Sequence, residues 1–275
     1  MHSRVHCFLA VLLIAADRAA AQRVRLEIRP NAGDTLRMRL DQESEMTGVR
    51  RTEGGESSAM VYSTMRMFSR AIVEGATHDG TKVLAVTDSV LLSTSDDRSR
   101  AAAQQLEAQM RGQRVRFHVG PDGSVTMLQA DDGATRDVAQ VVSLMPATFP
   151  KEPVGIGESW MREMPLPAST QLGAQLSGRL HVTFRLDSIV HHGERAYVSM
   201  RGDVKPATGP GASGTLLEQG AVNGTMVIDQ KRRWLSESWF NVLIMSTVSP
   251  TSSSGGHPMR MQMRITQHMH TFDRR

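Results

Sequence analysis

Residues 258–272 read PMRMQMRITQHMHTF, with methionine at every second position and then a methionine between two histidines. Thioether and imidazole both suit a soft metal such as copper, so the stretch offers two readings, a metal site or a buried strand. In an extended strand, alternate side chains share a face. Met259, Met261, Met263, Ile265 and Met269 then line one face, and Arg260, Gln262, Arg264, Thr266, His268 and His270 line the other. Met269 therefore points away from both histidines that bracket it. A metal site from the methionine row would need a partner from a neighbouring strand. Ile265 continues the row, which fits burial, and Met38, Met65, Met200, Met226 and Met245 also sit at alternating apolar positions. Methionine fills the core here, and the stretch reads as a strand with one face in and one face wet.

The same period-two pattern runs outward through the chain. Val24, Leu26 and Ile28 alternate with Arg25, Glu27 and Arg29. After the turn Asn31-Ala32-Gly33-Asp34, Leu36, Met38 and Leu40 alternate with Arg37, Arg39 and Asp41. Residues 59–74 and 82–93 predict two long strands joined at His78-Asp79-Gly80. Residues 114–119 and 124–129 predict a hairpin around Gly120-Pro121-Asp122-Gly123. Two segments change rhythm. DRSRAAAQQLEAQMR (97–111) predicts a helix capped by Asp96 and stopped by Gly112. TRDVAQVVSLM (135–145) places Val138, Val141, Val142 and Met145 at helical spacing and predicts a second. Segments 47–58, 205–214 and 249–257 are rich in Gly, Ser, Pro and Thr and read as loops.

Gly33-Asp34-Thr35-Leu36 opens one strand series and Gly157-Glu158-Ser159-Trp160 another. Each series continues with a long strand pair around a glycine turn (78–80; 191–194) and ends in a hairpin (114–129; 222–245). This layout is compatible with a structural duplication. Residues 22–148 would form one half and 149–275 the other, joined at Phe149-Pro150-Lys151-Glu152-Pro153 within one continuous sheet.

The first 21 residues read as a secretory signal. Arg4 precedes the apolar run Cys7–Ala16 (CFLAVLLIAA), and Ala19-Ala20-Ala21 leads to cleavage before Gln22. Ten apolar residues are too few to span a bilayer, which takes about 20. The one cysteine, Cys7, lies in that run, so the mature chain would have no disulfide, thiol nucleophile or cysteine metal ligand. No later run approaches spanning length, so no transmembrane segment is expected after cleavage. Net charge is +4, and lysine occurs only at positions 82, 151, 205 and 231. The basic residues are scattered among acids, whereas a nucleic-acid footprint would cluster them. The expected location is periplasmic or secreted.

Motifs for chemistry are absent: no Gly-x-Ser-x-Gly elbow, no His-Glu-x-x-His, no phosphate-cradling glycine loop. His191-His192 read as exposed turn residues. Asp131-Asp132-Gly133 and Ser95-Asp96-Asp97 lack calcium-loop spacing, and the second reads as a helix start. No metal, cofactor or catalytic residue is called for. Trp234 and Trp239 have opposite parity in one strand, so one should be core and the other partly exposed, a contact candidate. The tip Lys231-Arg232-Arg233 is a small basic turn, too short a run to argue membrane binding.

About a dozen strands with two helices in a cysteine-free exported chain predict a mainly β (α+β) fold: a large, curved antiparallel sheet or half-barrel, with a helix covering its concave face or closing one end. In its export signal, consecutive long strands and mid-chain helices, the layout resembles the LolA/LppX-type periplasmic lipoprotein and lipid carriers. It is also similar to exported bacterial proteins with a Gly-Asp/Glu-x-Leu/Trp strand start. The resemblance implies a non-enzymatic binder whose sheet holds acyl chains under a helical lid. The residues alone leave three classes open: a carrier of an apolar small molecule or lipid, a filled-core module that contacts an envelope protein, and a hydrolase with dispersed residues. For the carrier, Met259, Met261, Met263 and Trp239 are the candidate ligand-binding residues. Methionine repacks around varied apolar shapes, which suits that role.

Overall fold

The computed structural model describes residues 23–52, 55–130, 148–165, 178–206, 215–248 and 258–272. Eleven strands form one antiparallel sheet: β2 (Thr35–Thr52), β3 (Gly55–Ala76), β4 (Thr81–Thr94), β5 (Arg114–Val119), β6 (Val125–Ala130), β8 (Ser159–Pro165), β9 (Gly178–Val190), β10 (Arg195–Pro206), β11 (Thr215–Asp229), β12 (Trp234–Val248) and β13 (Met259–Phe272). Their order is β6-β5-β4-β3-β2-β13-β12-β11-β10-β9-β8, and a two-residue pair, β1 (Arg23–Val24) with β7 (Val154–Gly155), stands apart. Each half is a meander, and β13 returns from the end of the chain to pair with β2 and unite them. One helix, α1 (Arg100–Met110), occurs among the described residues where 97–111 was expected; the predicted 135–145 helix lies outside them. Asp96 caps the turn leading into α1 by accepting from the Arg98 N–H, and Gly112, at φ +78°, ends it.

The β3–β4, β5–β6, β9–β10 and β11–β12 turns gather at one end of the sheet, where β2, β4, β8, β10 and β12 begin and β3, β5, β9, β11 and β13 end. This end is closed. The Thr148 and Phe149 N–H groups both donate to the Asp122 carbonyl, 3.0 Å away, in the β5–β6 turn. From the far side of the sheet, the Trp160 indole donates to the Thr148 carbonyl and Arg162 to that of Phe149. Residues 148–149 thus tie the turn beside one edge strand to the other edge strand, β8. The extended segment 23–30 crosses the same end: Ile28 N–H donates to Pro121 O and Arg29 N–H to Arg233 O. Leu26 and Ile28 are buried in the main core, as their alternation with Arg25 and Glu27 requires. Among the described residues no helix lies across this end. α1 instead packs beside β4, sending Leu106 and Met110 into the core. The sheet remains open, since β6 and β8 are not hydrogen-bonded to each other.

The two strand-opening motifs have the same geometry. Gly33 N–H donates to Val73 O at 2.9 Å and Val73 N–H to Asp34 O at 2.9 Å. Gly157 N–H donates to Leu186 O at 2.7 Å and Leu186 N–H to Glu158 O at 3.0 Å. The carboxylates of Asp34 and Glu158 each accept from the backbone N–H three residues back, at 3.0 Å. Both glycines sit in the left-handed region, φ +89° and +86°, which explains the residue type.

The loop expected over 47–58 is a correction. β2 runs to Thr52 and β3 starts at Gly55, pairing throughout. These residues are too polar to announce a strand, but β13 takes up the other edge of β2, with Met259 opposite Arg50 and Met261 opposite Gly48. Cross-strand pairing of this kind overrides local preference. Of the loop expected over 205–214, Lys205 and Pro206 belong to β10; 207–214 and 249–257 lie outside the described residues.

Candidate functional site

The register of the eleven strands stacks the concave face in rows that run across the sheet. Nearest the closed end, Met269 stands between Leu40 and Ser238, and the row continues through Met67 and Val90 on one side and Met226, Val198 and Leu186 on the other. Every member of that row is buried. The next row outward holds Gln267 between Gln42 and Phe240, with Met65 and Leu92 beyond Gln42 and Gly224, Met200, Phe184 and Trp160 beyond Phe240. Trp160 and Phe184 stack with centroids 5.7 Å apart. Then come Ile265, Ser44, Ser63 and Val242, and after them Met263, Met46, Val61 and Ile244.

Burial fades along these rows unevenly. On β9 to β11 the face stays buried out to Val182, Val204 and Val222. On β2, β3 and β13 it becomes partly accessible: Gln42, Met46, Val61, Met65, Met261 and Ile265 are all half-buried. Met263 packs with Val204 and Ile244 in a second, smaller apolar cluster. Crowding on the buried side is tight enough to select glycine, for a Cβ on Gly202 would lie 2.2 Å from the His181 carbonyl oxygen.

Charge is sorted by face. The convex face carries ion pairs Arg39–Asp41–Arg66, Arg70–Asp88 and Arg116–Glu74. Burial pushes the Asp41 carboxyl upward, but hydrogen bonds and charge from Arg39 and Arg66 outweigh it, and it titrates below the ordinary aspartate range. Among the described residues the concave rows hold two arginines, Arg162, engaged with the Phe149 carbonyl, and Arg50, at the outer rim. Among the described residues no group of three or more His, Asp or Glu is arranged to hold a metal ion.

The sequence-predicted residues divide between the faces. Met259, Met261 and Met263 lie together on the concave side; Met263 is 7% exposed, the other two half-buried rather than buried as expected. His268 and His270 lie on the convex side, and His268 Nε2 meets Glu237 at 2.9 Å. Trp234 is in the core, while Trp239, 40% exposed, pairs with His268 on the convex side and does not join the methionines. Sequence reasoning missed Gln267, which shares odd parity with the methionines, and Gln42, Ser44 and Met46 on β2. Their alternation with acids was visible, but only the register makes them neighbours of β13.

No family model matches the chain, and no curated protein matches it by sequence. Among solved structures the chain is similar to one titled "Lipid-protein interactions in lipovitellin", with TM-score 0.51 and 13% identity over 88% of this chain and 25% of that one. It thus spans about a quarter of that chain's length, and the likeness is one of fold. The outer membrane protein OprG from Pseudomonas aeruginosa (TM-score 0.23, 7% identity, 90% of this chain and 100% of that one) is also recovered. So is a putative outer membrane lipoprotein-sorting protein domain from Vibrio parahaemolyticus (TM-score 0.19, 11% identity, 85% and 83%). At those scores neither carries an argument. Among the described residues no helix is long and apolar enough to cross a membrane.

Proposed function

We propose that the protein binds an apolar ligand of lipid type along the accessible part of its concave face, without transforming it, in the cell envelope to which its first 21 residues would direct it. One observation carries this reading. A single sheet face passes from complete burial at the Met269 row to an accessible apolar lining of Met46, Val61, Met65, Met261 and Ile265, while the ion pairs lie on the convex side. Isolated exposed apolar residues are ordinary; a contiguous apolar concavity is a binding feature. Methionine suits it, being flexible and polarisable. The fold likeness to lipovitellin, whose title concerns lipid–protein interactions, agrees with this use of an open sheet. The two equivalent glycine turns favour a duplicated scaffold, with residues 22–148 and 149–275 as its halves.

Titration of the delipidated protein with the uncharged fluorophore N-phenyl-1-naphthylamine tests the proposal. Saturable enhancement is expected, weakened by Met261→Trp and Met263→Trp, which fill the concavity, and unaffected by Trp239→Ala on the opposite face. An absence of saturable binding refutes the proposal.

A further inference from the structure

The apolar lining is interrupted by a group of polar side chains around Gln267. Gln267 is 5% exposed, faces the concavity between Gln42 and Phe240, and makes no side-chain hydrogen bond with any described residue. Its neighbour Gln42, half-buried, makes none either. One row outward, the Ser44 and Ser63 hydroxyls touch at 2.7 Å, leaving further capacity to donate and accept. Polar groups this deep in a protein are nearly always satisfied, and the Gln267 amide, which has no protein partner among the described residues, still reaches solvent and so is open to a ligand. The row behind it, Met269 with Leu40, Met67 and Ser238, is buried, so a partner must come from the open side.

The chemistry of that partner is constrained by what surrounds the site. Two carboxamides and two hydroxyls offer neutral donors and acceptors. Among the described residues no cation stands ready for an anion: Arg162 donates to Phe149 and lies near Asp122 across the seam, and Arg50 is at the rim, eight residues along β2 from Gln42. A carboxylate or phosphate brought here would be desolvated without a counter-charge. From Gln267 outward to Met259 the strand runs eight residues, about 26 Å, enough for an extended long acyl chain over Met263, Met46 and Val61. We propose that Gln42, Gln267, Ser44 and Ser63 form a polar station that selects an uncharged acyl lipid, such as a fatty ester of glycerol, over a free fatty acid. Its ester and hydroxyl groups would be held at the station with the chain directed to the rim. This rests on the ligand-binding reading above.

Displacement of N-phenyl-1-naphthylamine by 1-monooleoylglycerol and by oleate, at pH 8, separates the two claims. The monoglyceride should compete at least about tenfold better than oleate, and oleate should gain as pH falls and its carboxylate is neutralised. Gln267→Leu and Gln42→Leu should each cost the monoglyceride about fivefold to tenfold, as expected for a lost hydrogen bond, with fluorophore affinity unchanged. The melting temperature of Gln267→Leu should hold or rise, because an unpartnered amide is replaced by an apolar group of similar size. Should that variant not fold, the more accessible Gln42→Leu and the Ser44→Ala/Ser63→Ala pair carry the test. If the fluorophore binds but oleate competes as well as the monoglyceride, or the Leu variants leave their ratio unchanged, the station is overturned and the concavity stands. If the fluorophore itself does not bind, both proposals fall.

Discussion

Phe149→Ala isolates the packing at the seam where the two sides of the sheet meet. The ring is 2% exposed and lies 3.6 Å from where a Cβ on Gly123 would stand, against the β5–β6 turn. The polar links of the seam use the backbone of residues 148–149: N–H groups to Asp122, and carbonyls to Trp160 and Arg162. Truncation to alanine leaves every one of those groups in place and removes only apolar packing. A fully buried Phe→Ala change costs about 3–5 kcal/mol, a large share of the roughly 5–15 kcal/mol by which domains are stable. The control is Phe68→Ala, the same truncation at a residue 37% exposed on the convex face, with an expected cost below about 1 kcal/mol. Urea unfolding followed by circular dichroism measures both. Trp160 emission should also shift to the red in Phe149→Ala under native conditions, because its indole hydrogen bond lies one residue away in the seam. Equal costs for the two variants would show that the seam is held by its backbone bonds and that residues 148–149 are not part of the core.

Gly33→Ala and Gly157→Ala should cost similar amounts, about 1–2 kcal/mol each, since both need positive φ and neither added Cβ meets an atom within 4 Å; clearly unequal urea midpoints would argue against equivalent turns. Met263→Asp buries an unpaired charge in the cluster with Val204 and Ile244 and should cost at least about 3 kcal/mol, while Arg264→Asp on the exposed face should cost under about 1 kcal/mol; the same unfolding assay reads both. Asp122 is pushed up by burial but pulled further down by the Ser124 hydroxyl and N–H, so its folded pKa lies below the unfolded value of about 3.9. The stabilisation from that depression is therefore complete above that value and lost as pH falls through the folded one. Melting temperature should drop on acidification below about pH 4, and Asp122→Asn should flatten that drop; an unchanged slope would count against it.

What the sequence disclosed was local. Alternation in 258–272 separated the methionine face from the histidine face, and the structure keeps that separation along all of β13. It also divided Trp234 from Trp239. The glycine–acid motif announced two equivalent turns because a left-handed residue followed by an acceptor is a chemical requirement of the turn itself. Relations between distant segments were not legible. Phe149 stands in a proline-rich stretch that reads as a joint, yet it is core, because its neighbours Gly123 and Arg162 come from opposite sides of the sheet. Gln267 reads as one polar residue in a methionine strand; only the Gln42 pairing makes it part of the proposed polar station.

The order of the strands suggests why the accessible lining lies where it does. If the halves are repeats, β2 to β6 correspond to β8 to β12, and across the sheet they appear in the same sequence, β6-β5-β4-β3-β2 and β12-β11-β10-β9-β8. β13 then has no counterpart and stands between them. Inserting one strand at the junction widens the sheet while the closed end stays tied by residues 148–149 and 23–30, so the added width is felt toward the rim. That is where β13 presents Met259, Met261 and Met263 beside Met46 and Gly48 of β2. On that reading a scaffold of two repeats would pack shut, and the extra strand brings width and methionine side chains to the same place, beside the polar pair Gln42 and Gln267.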